Sequence, residues 1–470
     1  MNQKTQNKIA PYQQTIIAQC TPRGSGAIAL IRLSGVDAVC SVDQLCKLLG
    51  GKKLSEQKSH TIHFGYVVDE KGDKIDQVLF LLMRAPHTFT GQDVVEITCH
   101  NNQFLIEAII DRAIACGVRL AGPGEFSQRA VQEGKIDLVQ AEALHDLINA
   151  QTAESLKYSL AQLQGTFSSF LSEIEQAVIE MIVFCEASFE FLDEEGIEFS
   201  AELKIKIDEL MVKIKGLLSS YSKQQYIKQG VKIVLAGATN VGKSSLFNCL
   251  INHKRSIVTE IAGTTRDSIE FGLYKKSGYI TFVDTAGIRN AVDRIEQEGI
   301  RRSFDEVAKA DIILLVIDDS LLSIQEQVID YQNLLQKYAS KIILVQNKID
   351  RDSCVDVRNI LSMSQDNSFV QVSAQENSNI DKLHYMIDEK IEALKGSGQI
   401  ICLLNQRHYN LLSAFLKQLE EIACMLRQPI DYELVSYHLR EALQLLSEVS
   451  GRSVSESVLE QVFKSFCVGK

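Results

Sequence analysis

Several features common in secreted and membrane proteins are missing from this chain of 470 residues. Its eleven cysteines are scattered, odd in number and never spaced C-x-x-C. That pattern argues against a disulfide framework and against a zinc site, and it predicts reduced thiols in a cytosol. No stretch approaches the roughly 18 uninterrupted apolar residues of a membrane-spanning helix. The opening stretch from Asn2 to Ile9 is polar, so no charged-then-apolar leader is expected, and the localisation expected is cytoplasmic. Positive charge is not in excess either: 49 Lys and Arg against 60 Asp and Glu give a net charge of −11. This balance disfavours an extended basic groove that grips nucleic acid unaided; RNA would have to be held by a partner or a local patch. Tryptophan is absent, which says little. No tandem repeat or low-complexity stretch appears.

What is present is an ordinary globular composition, 45% hydrophobic and 23% charged. At roughly 150 residues per domain the length predicts about three domains. Residues 1–123 read as an α+β domain. Strands are expected at Gln14–Ala18, Ala27–Leu33, Thr61–Val68, Gln77–Met83 and Val94–Thr98, and helices at Val39–Leu49 and Phe104–Ala115. His60 and His63 lie in or beside a strand and read as ordinary strand histidines rather than metal ligands. Residues 124–228 and 396–470 carry apolar spacings of three and four and read as one all-α domain. Its expected helices are Asp137–Ala150, Ala153–Phe191, Ala201–Lys228, Leu404–Arg427, Asp431–Glu448 and Ser453–Phe466. The acidic break Leu192–Gly196 reads as a solvated helix end, with cation binding as the alternative. Inserted between the helical runs, residues 229–395 alternate strand and helix, which predicts an α/β domain with a mostly parallel sheet.

The strongest chemical signal lies in that insertion. A short apolar strand ending at Ala236 leads into Gly237-Ala-Thr-Asn-Val-Gly242-Lys243-Ser244, the spacing G-x-x-x-x-G-K-[ST], followed by a helical run from Ser245. Two glycines let backbone N–H groups close around a phosphate, and a helix N-terminus adds unpaired donors. Asn240 to Ser245, including Val241, thus form the expected phosphate loop: Lys243 for the outer phosphates, Ser244 for Mg²⁺. Downstream, Gly263-Thr264-Thr265 offers Thr265 as a second Mg²⁺ ligand when a γ-phosphate is present. Asp284-Thr285-Ala286-Gly287 ends a strand; Asp284 reaches Mg²⁺ through water and the Gly287 N–H meets the γ-phosphate, an interaction that hydrolysis removes. Asn347-Lys348-Ile-Asp350 follows an apolar strand, and Asp350 suits the paired donors of guanine, which adenine lacks. Ser373-Ala374 follows the next strand and offers a backbone N–H to the guanine carbonyl. All of these in order, at strand ends, point to GTP.

Hydrolysis needs a group that orients water, and Ile288, directly after Gly287, cannot be it. Glu296 on the next helical run is the candidate, acting through a second water. No arginine finger is evident. Asn240 with the carbonyls of Thr259, Glu260, Ile261, Ala262 and Gly263 offers oxygens to a monovalent cation that would neutralise developing charge.

Motifs along nearly the whole chain resemble the bacterial and organellar tRNA-modification GTPase family MnmE, also called TrmE. They are Thr21-Pro-x-Gly-x-Gly with Ile31-Arg32-Leu-Ser-Gly35, Phe89-Thr-Gly-x-Asp93-Val-Val-Glu96, Pro123-Gly-Glu-Phe126-Ser-x-Arg129, Lys135-Ile-Asp-Leu, the inserted GTPase, and the terminal Cys467-Val-Gly-Lys470. The resemblance implies a homodimer that works with the FAD-dependent flavoprotein MnmG (GidA) as a heterotetramer. Together they place an aminomethyl or carboxymethylaminomethyl group on C5 of the wobble uridine of certain tRNAs, with GTP, Mg²⁺, K⁺ and a methylene- or formyl-tetrahydrofolate. It implies that Asn240, Thr259, Ile261 and Thr264 ligate potassium, Ser244 and Thr265 ligate magnesium, and Glu296 positions water. Arg32, Glu96, Lys135 and Lys470 would bind the folate, in a domain that also dimerises. Three positions depart from the family pattern: His100-Asn101-Asn102 for His-Gly-Gly, Gly122 for Arg, and Thr239 for Pro. Two other readings stand beside this one. An Era-like or EngA-like assembly GTPase would share the inserted domain but have no use for folate. Cys467 is fourth from the end, as in a prenylation signal, although Gly469 and Lys470 fit that signal poorly.

Overall fold

The computed structural model describes residues 14–190, 199–238, 240–251, 257–259, 269–275, 278–284, 305–318, 332–351, 368–396, 402–426 and 431–469. Within these the chain divides into two compact units, the first Met1–His145, Gln162–Met211 and Asn410–Lys470, the second Asp146–Ala161 and Val212–Tyr409.

The first unit is built on a seven-stranded sheet: β1 Ile16–Gln19, β2 Ile28–Ser34, β3 Cys46–Leu48, β4 Thr61–Val68, β5 Lys74–Met83, β6 Val94–His100 and β7 Arg119–Leu120. Its order is β3-β4-β5-β6-β2-β1-β7, antiparallel except for the β1–β7 pair. Two-residue alternation sets its faces. Ala29, Ile31 and Leu33 of β2, Val78, Phe80 and Leu82 of β5, and Val95, Ile97 and Cys99 of β6 turn into one core. The helices Ala38–Asp43 and Gln103–Ala115 contribute Val39, Val42, Ile106 and Ile109 to it. Arg32 and Glu96 alternate to the other face, directly opposite each other in the β2–β6 register.

A single helix over Val39–Leu49 does not form. It stops at Asp43, and Cys46–Leu48 pairs with β4 instead. The Asp43 carboxylate accepts from the N–H of Leu54, at 2.7 Å, and of Ser55, which ties the end of the helix to the turn Leu54–Glu56 beyond that strand. Two other long helices are divided. Ala153–Leu163 and Thr166–Glu190 are separated at Gly165, whose φ is +96°. Phe199–Ser219 and Tyr221–Gln229 meet at Ser220, whose hydroxyl donates to the Leu217 carbonyl. The acidic stretch Leu192–Gly196 lies outside the described residues. Still in the first unit, Thr166–Glu190 packs along Tyr432–Ser450. The short helix Glu456–Phe463 brings Phe463 and Phe466 onto Leu138 and Ala141.

The second unit carries the other seven-stranded sheet: β8 Val231–Ala236, β9 Ile257–Thr259, β10 Ile269–Lys275, β11 Gly278–Asp284, β12 Ile312–Asp318, β13 Ile342–Asn347 and β14 Phe369–Gln371. The order is β14-β13-β12-β8-β11-β10-β9, parallel from β14 to β11 and antiparallel at β10 and β9. Ile312–Ile317 is buried throughout, as a parallel strand covered on both faces requires. One face packs on the helices Lys243–Ile251 and Ile380–Lys395, the other on Val307, Ala310 and Leu335. The strand order switches sides at β8, and sheets of this kind bind ligands in the crevice beyond the carboxyl end of such a strand.

Candidate nucleotide site

The phosphate loop leaves β8 at that crevice. Gly237 has φ +140°, and a Cβ there would lie 2.1 Å from the Val316 carbonyl oxygen. Gly242 has φ +93°, and a Cβ would lie 2.3 Å from the Asn347 Nδ2. Only hydrogen fits at either place, so both glycines of the motif are demanded by packing as well as by backbone conformation. Asn240 sits in the left-handed region, φ +65°, which asparagine tolerates better than most residues. Lys243 begins the next helix and is 7% exposed; its ammonium donates to the carbonyls of Gly237, 3.0 Å, and Ala238, 2.5 Å. This holds the cation over the loop. Ser244 and Ser245 lie exposed in the first turn of that helix, and Val241 is buried beneath.

The stretches after β13 and β14 close on the same loop. Asn347 is buried; its Nδ2 donates to the Val241 carbonyl at 2.9 Å and its Oδ1 accepts from the Ala374 N–H at 3.1 Å. Lys348 donates to the Asn240 carbonyl, 2.7 Å, and to the Asp318 carboxylate at the end of β12, 2.5 Å. Asp350 accepts from the Ser373 hydroxyl at 2.6 Å, a bond that holds its carboxyl below the usual range. The Ser373 Oγ in turn accepts from the Glu376 N–H. In the next peptide unit, the Ala374 carbonyl accepts from the Cys249 thiol at 3.1 Å. Motif spacing singles out neither Asp318 nor Cys249. Asp318 carries a signal, an acid ending an apolar parallel strand; Cys249 carries none.

Thr259 is the last residue of β9, and Asp284, the last of β11, stands in register with Leu235 of β8. Glu260, Ile261, Ala262, Gly263, Thr264, Thr265, Thr285, Ala286, Gly287 and Glu296 lie outside the described residues.

In the first unit, the structure brings two of the four expected folate residues together. Arg32 Nε donates to Glu96 Oε1 at 2.7 Å, with the pair 22% and 15% exposed. Arg32 also lies 5.6 Å from the centre of the buried Phe126 ring. The chain terminus passes beside it: Pro123 bridges to Val468, and the Gly469 carbonyl accepts from Cys20 Sγ and, at 3.5 Å, from Arg32 Nη1. Lys135 reaches the Pro86 carbonyl instead, and Lys470 is outside the described residues.

Two of the three departures from the family pattern can be placed, and Thr239 lies outside the described residues. Asn101 donates to the Gly24 carbonyl, and Asn102 caps the helix Gln103–Ala115 by accepting from the Phe104 N–H. Where Gly122 stands, Arg119 supplies the guanidinium that pairs with Glu125, at 2.6 Å. His60 bonds Ser59 and the His87 carbonyl, and His63 bonds Thr61. Among the described residues no group of three or more His, Cys, Asp or Glu side chains is placed to hold a metal, and no helix is long and apolar enough to cross a membrane.

Comparisons with known proteins agree with this layout. A family model described as the GTP-binding protein TrmE N-terminus matches residues 15–135, and one described as the MnmE helical domain matches residues 138–467. The tRNA modification GTPase MnmE of Carboxydothermus hydrogenoformans is 38% identical over 466 residues, 97% of this chain and 100% of that protein. The proteins of the same name from Geobacillus thermodenitrificans and Christiangramia forsetii are 36% and 34% identical, each over 97% of this chain and 99% of theirs. A match of this depth along both family models shows that the chain belongs to the MnmE (TrmE) family of tRNA modification GTPases.

Proposed function

We propose that this chain is the GTP-hydrolysing component of an enzyme that modifies C5 of the wobble uridine in certain tRNAs, acting as a homodimer with an MnmG-type flavoprotein. The observation that carries the nucleotide half is the convergence of Asn347 and Lys348 on the phosphate loop, with Ala374 joined to them through the Asn347 side chain. A loop whose glycines leave no room for a Cβ fits a phosphate chain, and an ionised Asp350 beside the Ala374 peptide fits guanine. In this reading Ser244 and Thr265 hold Mg²⁺, Asn240, Thr259, Ile261 and Thr264 hold K⁺ where G domains meet, and Glu296 orients water. Lys243 is already poised: on binding it exchanges two carbonyls for phosphate oxygens.

The Arg32–Glu96 pair supports the folate half. A carboxylate suits the donor edge of a pterin and basic groups suit its anionic tail. Bound there, the folate supplies a one-carbon unit; the chain's own part is to hold and orient it, with the Gly469 backbone beside it. Lys135 and Lys470 belong to this reading as tail ligands. The chain would then comprise residues 1–123 for folate and dimerisation, 124–228 with 396–470 as helical domain, and 229–395 as G domain, working in the cytoplasm. The test is nucleoside analysis of tRNA from cells lacking the gene. Loss of the C5 substituent at the wobble uridine is expected, and an unchanged nucleoside overturns the proposal.

A further inference from the structure

The second unit contains a cavity of about 460 Å³ that shares no residue with the nucleotide site. Its volume falls within the roughly 300–1,000 Å³ typical of small-molecule sites. Three segments wall it: residues 146–155, 221–229 and 404–406. They are laced together. The Thr152 hydroxyl donates to the Ile227 carbonyl at 2.6 Å, and the buried Gln224 accepts from the Leu404 N–H at 2.7 Å. Lys228 pairs with Asp146 at 2.6 Å, and Tyr221 bonds Gln406 at 3.0 Å while stacking on Tyr409 at 4.3 Å. The walls are therefore set before any ligand arrives.

Their chemistry is unusual. Ten of the twelve lining residues are polar, and six of those are carboxamides: Asn149, Gln151, Gln225, Gln229, Asn405 and Gln406. Some already pair within the wall, Gln229 with Gln225 and Gln406 with Tyr221, and a ligand carrying hydrogen-bonding groups of its own suits such a lining better than a lipid or a hydrophobic cofactor. A phosphate group is disfavoured too, because the one lysine in the lining is already neutralised by the one aspartate. A carboxamide presents a donor and an acceptor side by side in one plane, the complement of a heterocycle edge. Tyr221, one face of which Tyr409 covers, adds an aromatic ring to the lining. We propose that this cavity takes a nucleobase. The inference rests on the reading that the chain works on tRNA, which makes an unpaired RNA base the first source and a free nucleoside the second.

The test uses the full chain and the double variant Gln225→Ala/Gln229→Ala. Affinity for a dye-labelled, unmodified tRNA transcript is measured by anisotropy, and binding of free adenosine, guanosine, cytidine and uridine by saturation-transfer NMR. The double variant is expected to weaken tRNA about tenfold, the effect of losing one two-bond base contact. If tRNA affinity holds while the nucleoside signal disappears, the cavity takes a free nucleoside. Both quantities within twofold of wild type overturn the inference. Failure of the wild-type chain to bind tRNA at all counts against the tRNA reading, and the nucleoside arm then decides the cavity alone. Should the variant melt early, wild-type chain is cross-linked to tRNA carrying 4-thiouridine. Adducts in 146–155, 221–229 or 402–409 support the inference, and adducts confined elsewhere overturn it.

Discussion

The nucleotide site and the Arg32–Glu96 cluster are assembled in different ways. At the nucleotide site, short stretches at the carboxyl ends of β8, β12, β13 and β14 meet because neighbouring parallel strands end at one edge. Most of its bonds run to backbone carbonyls and N–H groups, as from Lys243 to Gly237 and Ala238 and from Asn347 to Val241. The Arg32 cluster instead joins side chains across 64 residues of sequence and reaches the chain terminus across 437. Phe126, against which Arg32 lies, is on the helix Glu125–Gln132 that carries a second, buried arginine. Arg129, 2% exposed, donates to Gln92, to the Gln14 carbonyl and to Glu125. The first arrangement separates function from stability; the second ties them together.

The largest test of that contrast is Asp350→Asn. Removing the charged acceptor while keeping the shape should cost GTP about 10⁴ in affinity, the scale on which a site built for specific hydrogen bonds rejects a mismatch. Xanthosine triphosphate, whose C2 oxygen can accept from the new amide, should become the preferred nucleotide in calorimetric titrations, with the melting temperature unchanged. Glu296→Ala should lower the GTP turnover number by about 10²–10⁴, the range of a general-base contribution, with binding near wild type. If binding falls in parallel, Glu296 is not the water-positioning group.

Arg129→Met sharpens the other side. Breaking a buried charged network by removing one partner should destabilise the first unit by about 3–5 kcal/mol, read as reduced hydrogen-exchange protection in β1 and β2. GTP affinity should stay within twofold; a parallel loss would show that the two sites are not energetically separate. Acid acts on the same network. Burial alone would raise the Glu125 carboxyl, but hydrogen bonds from Arg119, the Gly122 N–H and Arg129 hold it below the ordinary range. Its contribution is therefore fully present above the unfolded value of about 4.3 and is lost as pH falls through the lower folded value.

The same contrast explains how much of the molecule is legible in the chain. The second sheet is legible because fully buried parallel strands are continuous apolar runs, and its motifs sit directly after them, as Asn347 follows Ile342–Val345. Strand β9, three residues long, has no periodicity to find. In the first unit Arg32 and Glu96 emerge only through resemblance to a family pattern. Their opposition is a matter of register, which spacing alone does not reveal. The helix expected over Val39–Leu49 gives way at Cys46–Leu48 to pairing with β4, a long-range partnership that local periodicity does not record. Arg129 lies within one of the family motifs, yet only burial identifies it as the member that binds the Phe89–Gln92 loop to the start of β1.

The smallest expected effect concerns Cys249, where a core-like residue and a site residue have to be told apart. Its thiol donates to the carbonyl of Ala374, the residue whose own N–H, one peptide unit earlier, faces Asn347 and, in the proposed reading, the guanine carbonyl. Burial raises the thiol above its usual pKa, so it remains a donor at neutral pH. If Cys249 merely fills space, valine should serve and serine should not; if it orients the peptide, the order reverses. A single neutral hydrogen bond contributes roughly 0.5–1.5 kcal/mol, about two- to tenfold in affinity. Cys249→Val should therefore weaken GDP by that factor and Cys249→Ser should stay close to wild type. A nucleotide that keeps the N1–H and amine but weakens the 6-acceptor isolates the cause: wild-type chain should prefer GDP to 6-thioguanosine diphosphate, and Cys249→Val should narrow that preference. An unchanged preference in the valine variant would assign Cys249 to packing, and an absent preference in wild type would remove Ala374 from the guanine contacts altogether.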